Sequence, residues 1–186
     1  MTRYIAFLRA INVGGHTVKM DHLRSLFADM GLPGAQTFIA SGNIIFDSPA
    51  RNTRTLEKKI AGRLHQALGY EVAAFVRSAA ELAAVARYQA FSAAQLSQPY
   101  HGLYVGFLAE PLGPEAREAL LAYRTSVDDF HTHQREIYWL CRIRSSESTF
   151  SLARLEKSHR LQATFRNATT VRKLAAEYAA EPDGAA

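Results

Sequence analysis

Hydrophobic residues change their spacing along the first half of the chain in an order that indicates alternating strands and helices. Short apolar runs, typical of buried strands, lie at residues 4–9, 37–39, 44–46 and 72–76. Apolar residues recur every three or four positions, as on one face of a helix, at residues 20–30 and 56–68. Gly31 and Gly69 follow these stretches and are typical of helix ends. The predicted order is β-α-β-β-α-β, and a capping box at Ser78 and Glu81 predicts one more helix.

The same order of elements returns after residue 100. Strands are predicted at residues 103–108, 127–130 and 137–141, with a short extended piece at 163–165. Pro114 favours the first turn of a helix, and Asn167 is placed to cap the last one. A helix between them carries Phe150, Leu152 and Leu155. The two halves therefore repeat an architecture, although they do not repeat identical residues.

This repetition predicts an α+β fold of two tandem ferredoxin-like repeats, each a split β-α-β unit with an antiparallel sheet. The first repeat is expected at residues 1–90 and the second at 101–180, joined by a polar linker at 91–100. Residues 181–186 are expected to be a disordered tail.

The composition is that of an ordinary globular protein, with 48% hydrophobic and 21% charged residues in a chain of 186. No apolar run approaches the roughly 18 residues that a membrane helix needs, and the opening run is too short for the core of a signal peptide. We therefore expect a cytoplasmic protein that does not bind a membrane. The single cysteine, Cys141, excludes an internal disulfide, and its apolar neighbours predict core packing rather than a nucleophile.

Positive charge lies at the two ends of the chain. The formal net charge is +5 over residues 1–90, −3 over 91–141 and +3 over 142–186. This distribution fits an anionic partner such as a phosphate group or a nucleic acid, but a net charge of this size is also normal for a domain that must stay in solution. Charge alone does not choose between these explanations.

Three polar junctions are candidate parts of a site: residues 9–15, 41–43 and 166–170. In a ferredoxin-like sheet, the end of the first strand and the hairpin between the next two strands lie at the same edge, which places the first two junctions together. Exposed backbone N–H groups of a glycine turn and of a helix N-terminus attract anions. We predict binding of a small phosphate- or carboxylate-bearing ligand by Arg9, Asn12, Gly14, Gly15, Lys19, Ser41, Gly42, Asn43, Arg166 and Asn167.

Each part of this site also has a purely structural alternative. The glycines could serve only a tight turn, Asn12 and Asn43 could tie loops to the backbone, and Asn167 could be a plain helix cap. Neither the Walker phosphate loop nor the Gly-x-Gly-x-x-Gly dinucleotide motif occurs. No cofactor is predicted.

Separated blocks of this sequence closely resemble the bacterial domain of unknown function 1697 family. They are residues 9–15, 18–20, 39–46 and 163–167, with Thr170-Val171 and Lys173-Leu174. The resemblance spans nearly the whole chain but implies little chemistry, because the family has no established activity. Ala10 stands where the family more usually has glycine, and Ala168 stands where it more usually has tryptophan.

Two other functions remain open. The basic surface of residues 142–173 could bind nucleic acid, although core packing explains the strand aromatics better and the RNA-recognition signature is absent. A small hydrolase or transferase could act at the same cleft through His16 or Ser41. Whether the protein is an enzyme is therefore not determined, nor is its oligomeric state.

A metal site is not predicted. His131 and His133 would share one face of a strand and could bind a metal with Asp128 or Asp129, but a hairpin tip offers no obvious further ligand.

Overall fold

The computed structural model describes residues 1–12, 15–39 and 42–179, and within them the chain forms two compact units. Unit 1 consists of the described residues within 1–84 together with 174–179, and unit 2 is Val85–Lys173. The predicted repeat limits and the linker at 91–100 stay predictions. The tail predicted at 181–186 lies outside the described residues.

Unit 1 contains one four-stranded antiparallel sheet in the order β2-β3-β1-β4. In chain order its elements are β1 (Thr2–Leu8), α1 (Met20–Asp29), β2 (Gln36–Phe38), β3 (Asn43–Ser48), α2 (Thr53–Leu68) and β4 (Ala74–Ser78), with α3 (Ala79–Arg87) following. This is the split β-α-β order that the hydrophobic pattern predicts.

The core of unit 1 forms where α1 and α2 cover one face of this sheet. Phe27 of α1 and Ile60 of α2 are fully buried in the same cluster as Ala6 and Phe46 of the sheet. β1 is buried on both faces, since Ile5 is also fully buried. This explains why its sequence is a continuous apolar run rather than an alternating one.

Unit 2 repeats this sheet order as β6-β7-β5-β8, again antiparallel. Its elements are α4 (Ala93–Ser97), β5 (Gly102–Leu108), α5 (Pro114–Leu121), β6 (Asp128–His133), β7 (Glu136–Cys141), α6 (Leu152–His159), β8 (Ala163–Asn167) and the start of α7 (Ala168–Tyr178). The core here is aromatic: Trp139 contacts Phe130, Phe150 and Phe165. The predicted α+β fold of two ferredoxin-like repeats is confirmed.

Both units protect the outer edge of their last strand in the same way. The Val76 N–H donates to Oε1 of Glu57 on α2 over 2.9 Å, and the Ala163 N–H donates to Oε1 of Glu156 on α6 over 2.9 Å. A helix carboxylate thus satisfies an edge N–H that could otherwise pair with another chain.

The limits of some elements differ from the sequence prediction. β4 begins at Ala74 rather than near residue 72, and β6 continues to His133, so that only Gln134 and Arg135 connect it to β7. A turn this short is possible because Gln134 takes a left-handed backbone conformation, with φ +48°. Among the described residues, no helix is long and apolar enough to cross a membrane.

Candidate functional site

The first two predicted blocks come together in unit 1. The Leu8 N–H, at the end of β1, donates to the Gly42 carbonyl of the β2–β3 hairpin over 2.8 Å. Gly42 has φ +73°, and a Cβ at this position would lie 2.8 Å from Cγ2 of Ile11. The predicted juxtaposition is confirmed, and it depends on glycine because the two chain segments touch here.

The two asparagines of these blocks bond to the backbone. Oδ1 of Asn12 accepts the Val18 N–H over 2.8 Å, which closes the loop that leads into α1. The side chain of Asn43 is buried, and its amide donates to the Phe38 carbonyl over 3.0 Å. The structural alternative for these side chains is therefore observed, and a role for them in binding a ligand stays a prediction.

The remaining residues of the β1–α1 loop are more exposed. Gly15 has φ +85° with nothing within 4 Å of an added Cβ, and Lys19 is the exposed N-cap of α1, whose first turn has no side-chain cap. Arg9 is half-buried, and its backbone N–H donates to the Ala73 carbonyl over 2.8 Å. The predicted site residues Gly14 and Ser41 lie outside the described residues.

His16, which the alternative catalytic hypothesis uses, stacks on Tyr70 with ring centroids 3.9 Å apart. The Tyr70 hydroxyl donates to the Ile11 carbonyl over 3.0 Å, and burial raises the pKa of this phenol. Tyr70 thus contacts the β1–α1 loop at two points, Ile11 and His16.

The third block belongs to unit 2. Asn167 caps α7, since its Oδ1 accepts the Thr169 N–H over 2.8 Å. Arg166 donates to Oγ1 of Thr164 over 2.8 Å and to the Phe165 carbonyl over 2.9 Å, and burial lowers its pKa to about 10. These contacts hold the guanidinium against its own strand.

A cavity that the sequence analysis did not predict lies within unit 2. Its volume is about 370 Å³, inside the range typical of small-molecule sites. The walls come from the end of α3 through α4, from β5 and β7, and from the first two turns of α7. One lining residue, Ala168, belongs to the third predicted block. No sequence motif predicts this cavity, because the residues that line it are far apart in the chain.

The lining of this cavity divides into an apolar interior and a cationic rim. Val105, Tyr138 and Val171 are buried, whereas Arg87 and Arg172 are exposed. Among the described residues, neither of these two guanidiniums forms a hydrogen bond or an ion pair. The rim can therefore offer two unneutralised positive charges to a ligand.

Tyr88 connects this cavity to β6. It lines the cavity, its hydroxyl lies 2.8 Å from Nε2 of His131, and its ring stacks on His133 with centroids 4.0 Å apart and planes 8° from parallel. Burial lowers the pKa of His131, and the nearby charges of Arg124, His133 and Arg117 lower it further, against Asp129. Among the described residues, no group of three metal-binding side chains is placed to hold an ion.

Cys141 is buried, as its apolar neighbours predict. Its thiol donates to the Ile143 carbonyl over 3.1 Å, and burial raises its pKa to about 11. A thiol in this state is a packing group rather than a nucleophile.

Comparisons with known proteins bear on the fold and on the family. The solved structure of the conserved bacterial protein SP0830 from Streptococcus pneumoniae is similar, with a TM-score of 0.74 and 23% identity over 96% of this chain and 98% of that one. At this identity the likeness shows the fold alone. No curated protein matches the chain. The family model described as protein of unknown function (DUF1697) matches residues 1–138, most of the sequence, and the chain therefore belongs to that family.

Proposed function

We propose that this protein binds a small organic ligand that carries a phosphate or carboxylate group. The cavity of unit 2 carries the proposal, because it joins an apolar interior to a rim with the two unpaired guanidiniums of Arg87 and Arg172. Apolar surface that a ligand buries there contributes roughly 25 cal/mol per Å². A guanidinium can donate two parallel hydrogen bonds to a carboxylate or a phosphate.

The arrangement also orients the ligand. An anionic group placed among Val105, Tyr138 and Val171 would lose its hydration without gaining a donor of opposite charge. At the rim it keeps contact with water and lies beside Arg87 or Arg172. The apolar part of the ligand therefore enters the cavity, and its charged group stays at the mouth.

The β1–α1 loop of unit 1 is a second place for an anion, as the sequence analysis proposes. The contact of Leu8 with Gly42 supports it, since both blocks then lie at one sheet edge. Lys19 is exposed at the start of α1, the helix that this loop enters. Asn12 and Asn43 already bond to the backbone there, so a ligand would depend on Arg9, Lys19 and backbone N–H groups.

A thermal-shift screen against nucleotides, sugar phosphates, and aromatic and aliphatic carboxylates tests the proposal. A ligand present at 100 times its Kd adds about 2.7 kcal/mol of stability, which moves the midpoint by several degrees. Loss of the shift in Arg172→Ala places the ligand in the cavity, and loss in Arg9→Ala places it at the loop. Lys173→Ala is the matched control, because it removes an exposed neighbouring charge that does not line the cavity.

The same screen can contradict the proposal. If no anion shifts the midpoint, small-anion binding is wrong. If only oligonucleotides shift it, and the affinity falls steeply with salt, the nucleic-acid hypothesis replaces it. Turnover of a bound ligand would instead support the hydrolase or transferase hypothesis.

A further inference from the structure

We infer that the ligand of the unit 2 cavity is a purine mononucleotide, with its two-ring base inside the cavity and its phosphate at the rim. The inference rests on the proposed function, which requires only a small organic anion, and it narrows that ligand to one chemical class. Three features of the cavity support it: its size, the unpaired backbone in one wall and the two positive charges at its mouth.

The volume of the cavity, about 370 Å³, fits two fused rings better than one. A protein cavity of about 150 Å³ already holds benzene. A single ring would leave more than half of this cavity empty, and the walls would lose contacts there. Aromatic side chains line it, since Phe91 and Tyr138 are buried and the ring centroids of Tyr88 and Tyr138 lie 5.2 Å apart. Such walls favour a flat aromatic body over an aliphatic chain of equal volume.

One wall of the cavity also carries backbone groups without partners. Gln89, Ala90 and Phe91 all line the cavity and lie in the irregular chain between α3 and α4. Among the described residues, none of their backbone N–H or C=O groups forms a hydrogen bond. A hydrocarbon body that covered this wall would remove water from these groups without replacing its hydrogen bonds, which lowers affinity. A purine base has both donors and acceptors at its edge, so it can replace them.

The two positive charges at the rim suit a phosphate better than a carboxylate. Arg87 ends α3 and Arg172 lies on α7, so the guanidiniums come from two different elements. A phosphate monoester carries a charge of about −1.5 to −2 at pH 7 and has three strong acceptor oxygens, enough for both. A carboxylate has a single charge and two oxygens. In a nucleotide the ribose separates the phosphate from the base, so the base can lie inside while the phosphate keeps contact with water.

Isothermal titration calorimetry with matched probes tests the ligand class. The probes are adenosine and guanosine 5′-monophosphates, 1-naphthyl phosphate without the hydrogen-bonding edge, ribose 5-phosphate without the rings, and decanoate as an aliphatic anion. We expect the better nucleotide to bind about tenfold more tightly than any of the other three.

Two results of this titration would contradict the inference. If 1-naphthyl phosphate, ribose 5-phosphate or decanoate binds as tightly as the better nucleotide, or if only another anion of the thermal-shift screen binds, the nucleotide inference is wrong and the proposed function stands. If none of these probes binds and no anion of the screen does, both are wrong.

Removal of one rim charge tests where the phosphate lies. Arg172→Ala should weaken binding of the better nucleotide about tenfold, and binding of the matching nucleoside, which has no phosphate, less than about twofold. Lys173→Ala is the matched control and should change neither, because Lys173 does not line the cavity. Equal losses for nucleotide and nucleoside, or no loss for either, would overturn the inference.

Backbone amide shifts test the position of the base without any substitution. In ¹H–¹⁵N spectra, at least one amide proton of Gln89, Ala90 and Phe91 should move downfield when the better nucleotide binds, because a new hydrogen bond deshields it. Amides of the β1–α1 loop should not move. If the nucleotide binds and only the loop amides move, the inference is wrong, and the ligand occupies the second place that the proposed function allows.

Discussion

Arg77 and Arg166 occupy equivalent positions in the two units. Each stands on the last strand of its sheet, opposite Ile5 of β1 and Val105 of β5 respectively. Each guanidinium donates to the carbonyl of the preceding residue, over 3.0 Å to Val76 and 2.9 Å to Phe165. This repeated contact is a structural role, and it explains Arg166 without a ligand.

The two arginines should differ in their contribution to stability, because Arg77 is 1% exposed and Arg166 is half-buried. Arg77→Ala leaves a void and unpaired buried carbonyl groups, and should lower the free energy of unfolding by about 3 kcal/mol or more. Arg166→Ala should cost about 1 kcal/mol, since water can partly replace the hydrogen bonds of this half-buried guanidinium. Urea denaturation of both variants measures this difference. Equal losses of unfolding free energy would show that the greater burial of Arg77 does not increase its contribution to stability.

Gly42→Ala should be more harmful than Gly15→Ala, although both glycines have positive φ. At Gly42 the new methyl group would lie 2.8 Å from Ile11 and 3.2 Å from Leu8, whereas at Gly15 it would meet nothing within 4 Å. We expect the free energy of unfolding to fall by about 3 kcal/mol for Gly42→Ala, where backbone strain adds to steric overlap. For Gly15→Ala we expect a fall of about 1 kcal/mol, from backbone strain alone. Chemical denaturation tests the order of the two, and a reversed order would show that the hairpin does not need this close approach.

Ala10→Gly should stabilise the protein. Ala10 has φ +63°, a conformation that costs a residue with a Cβ roughly 1 kcal/mol and costs glycine almost nothing. The gain should therefore be about 0.5–1 kcal/mol in the free energy of unfolding. Ala61→Gly, in the interior of α2, is the control and should lose about 1 kcal/mol. A loss in both variants would show that the Ala10 conformation is not strained.

The Cys141 thiol should not react in the folded protein. With its pKa raised to about 11 by burial, only about one thiol in a thousand is ionised at pH 8, and the sulfur is inaccessible. Iodoacetamide at pH 8 should leave the native protein unmodified and alkylate it fully in guanidinium chloride. Rapid alkylation of the native state would contradict the packing role.

Folding stability should fall as the pH drops through the ordinary His range. The pKa of His131 is lowered by burial and by Arg124, so below pH 6.5 the unfolded chain binds a proton that the folded one resists. The free energy of unfolding is therefore unaffected by His131 above pH 6.5 and decreases as the pH falls below it. His131→Gln should flatten this dependence in denaturation curves between pH 7.5 and 5.5, and His101→Gln should not. If the free energy of unfolding depends on pH equally steeply in His131→Gln, His131 is not the source of that dependence.

Local patterns were enough to predict much of the fold. The spacing of apolar residues separates strands from helices within a few positions, and short signals such as the Ser78–Glu81 capping box act over one turn. The same information predicts that the end of the first strand lies beside the hairpin of the next two, since strand order follows from a short list of allowed connections. The contact of Leu8 with Gly42 agrees with it. Several errors lie at element ends, as at β6, where the turn depends on the backbone of Gln134. The short helix α4 was also missed, since it lies in the stretch predicted as a polar linker.

The order of elements, the repeat of one architecture and the meeting of the two glycine-containing blocks all follow from the residue pattern along the chain. What the side chains do there depends on tertiary contacts: Asn12 and Asn43 bond to the backbone, and Arg166 bonds along its own strand. Tertiary contacts also form the cavity and join Tyr88 to His131. The physical reason is separation along the chain. Periodicity and capping act between residues that are close in sequence, whereas these features need side chains from segments tens of residues apart to meet.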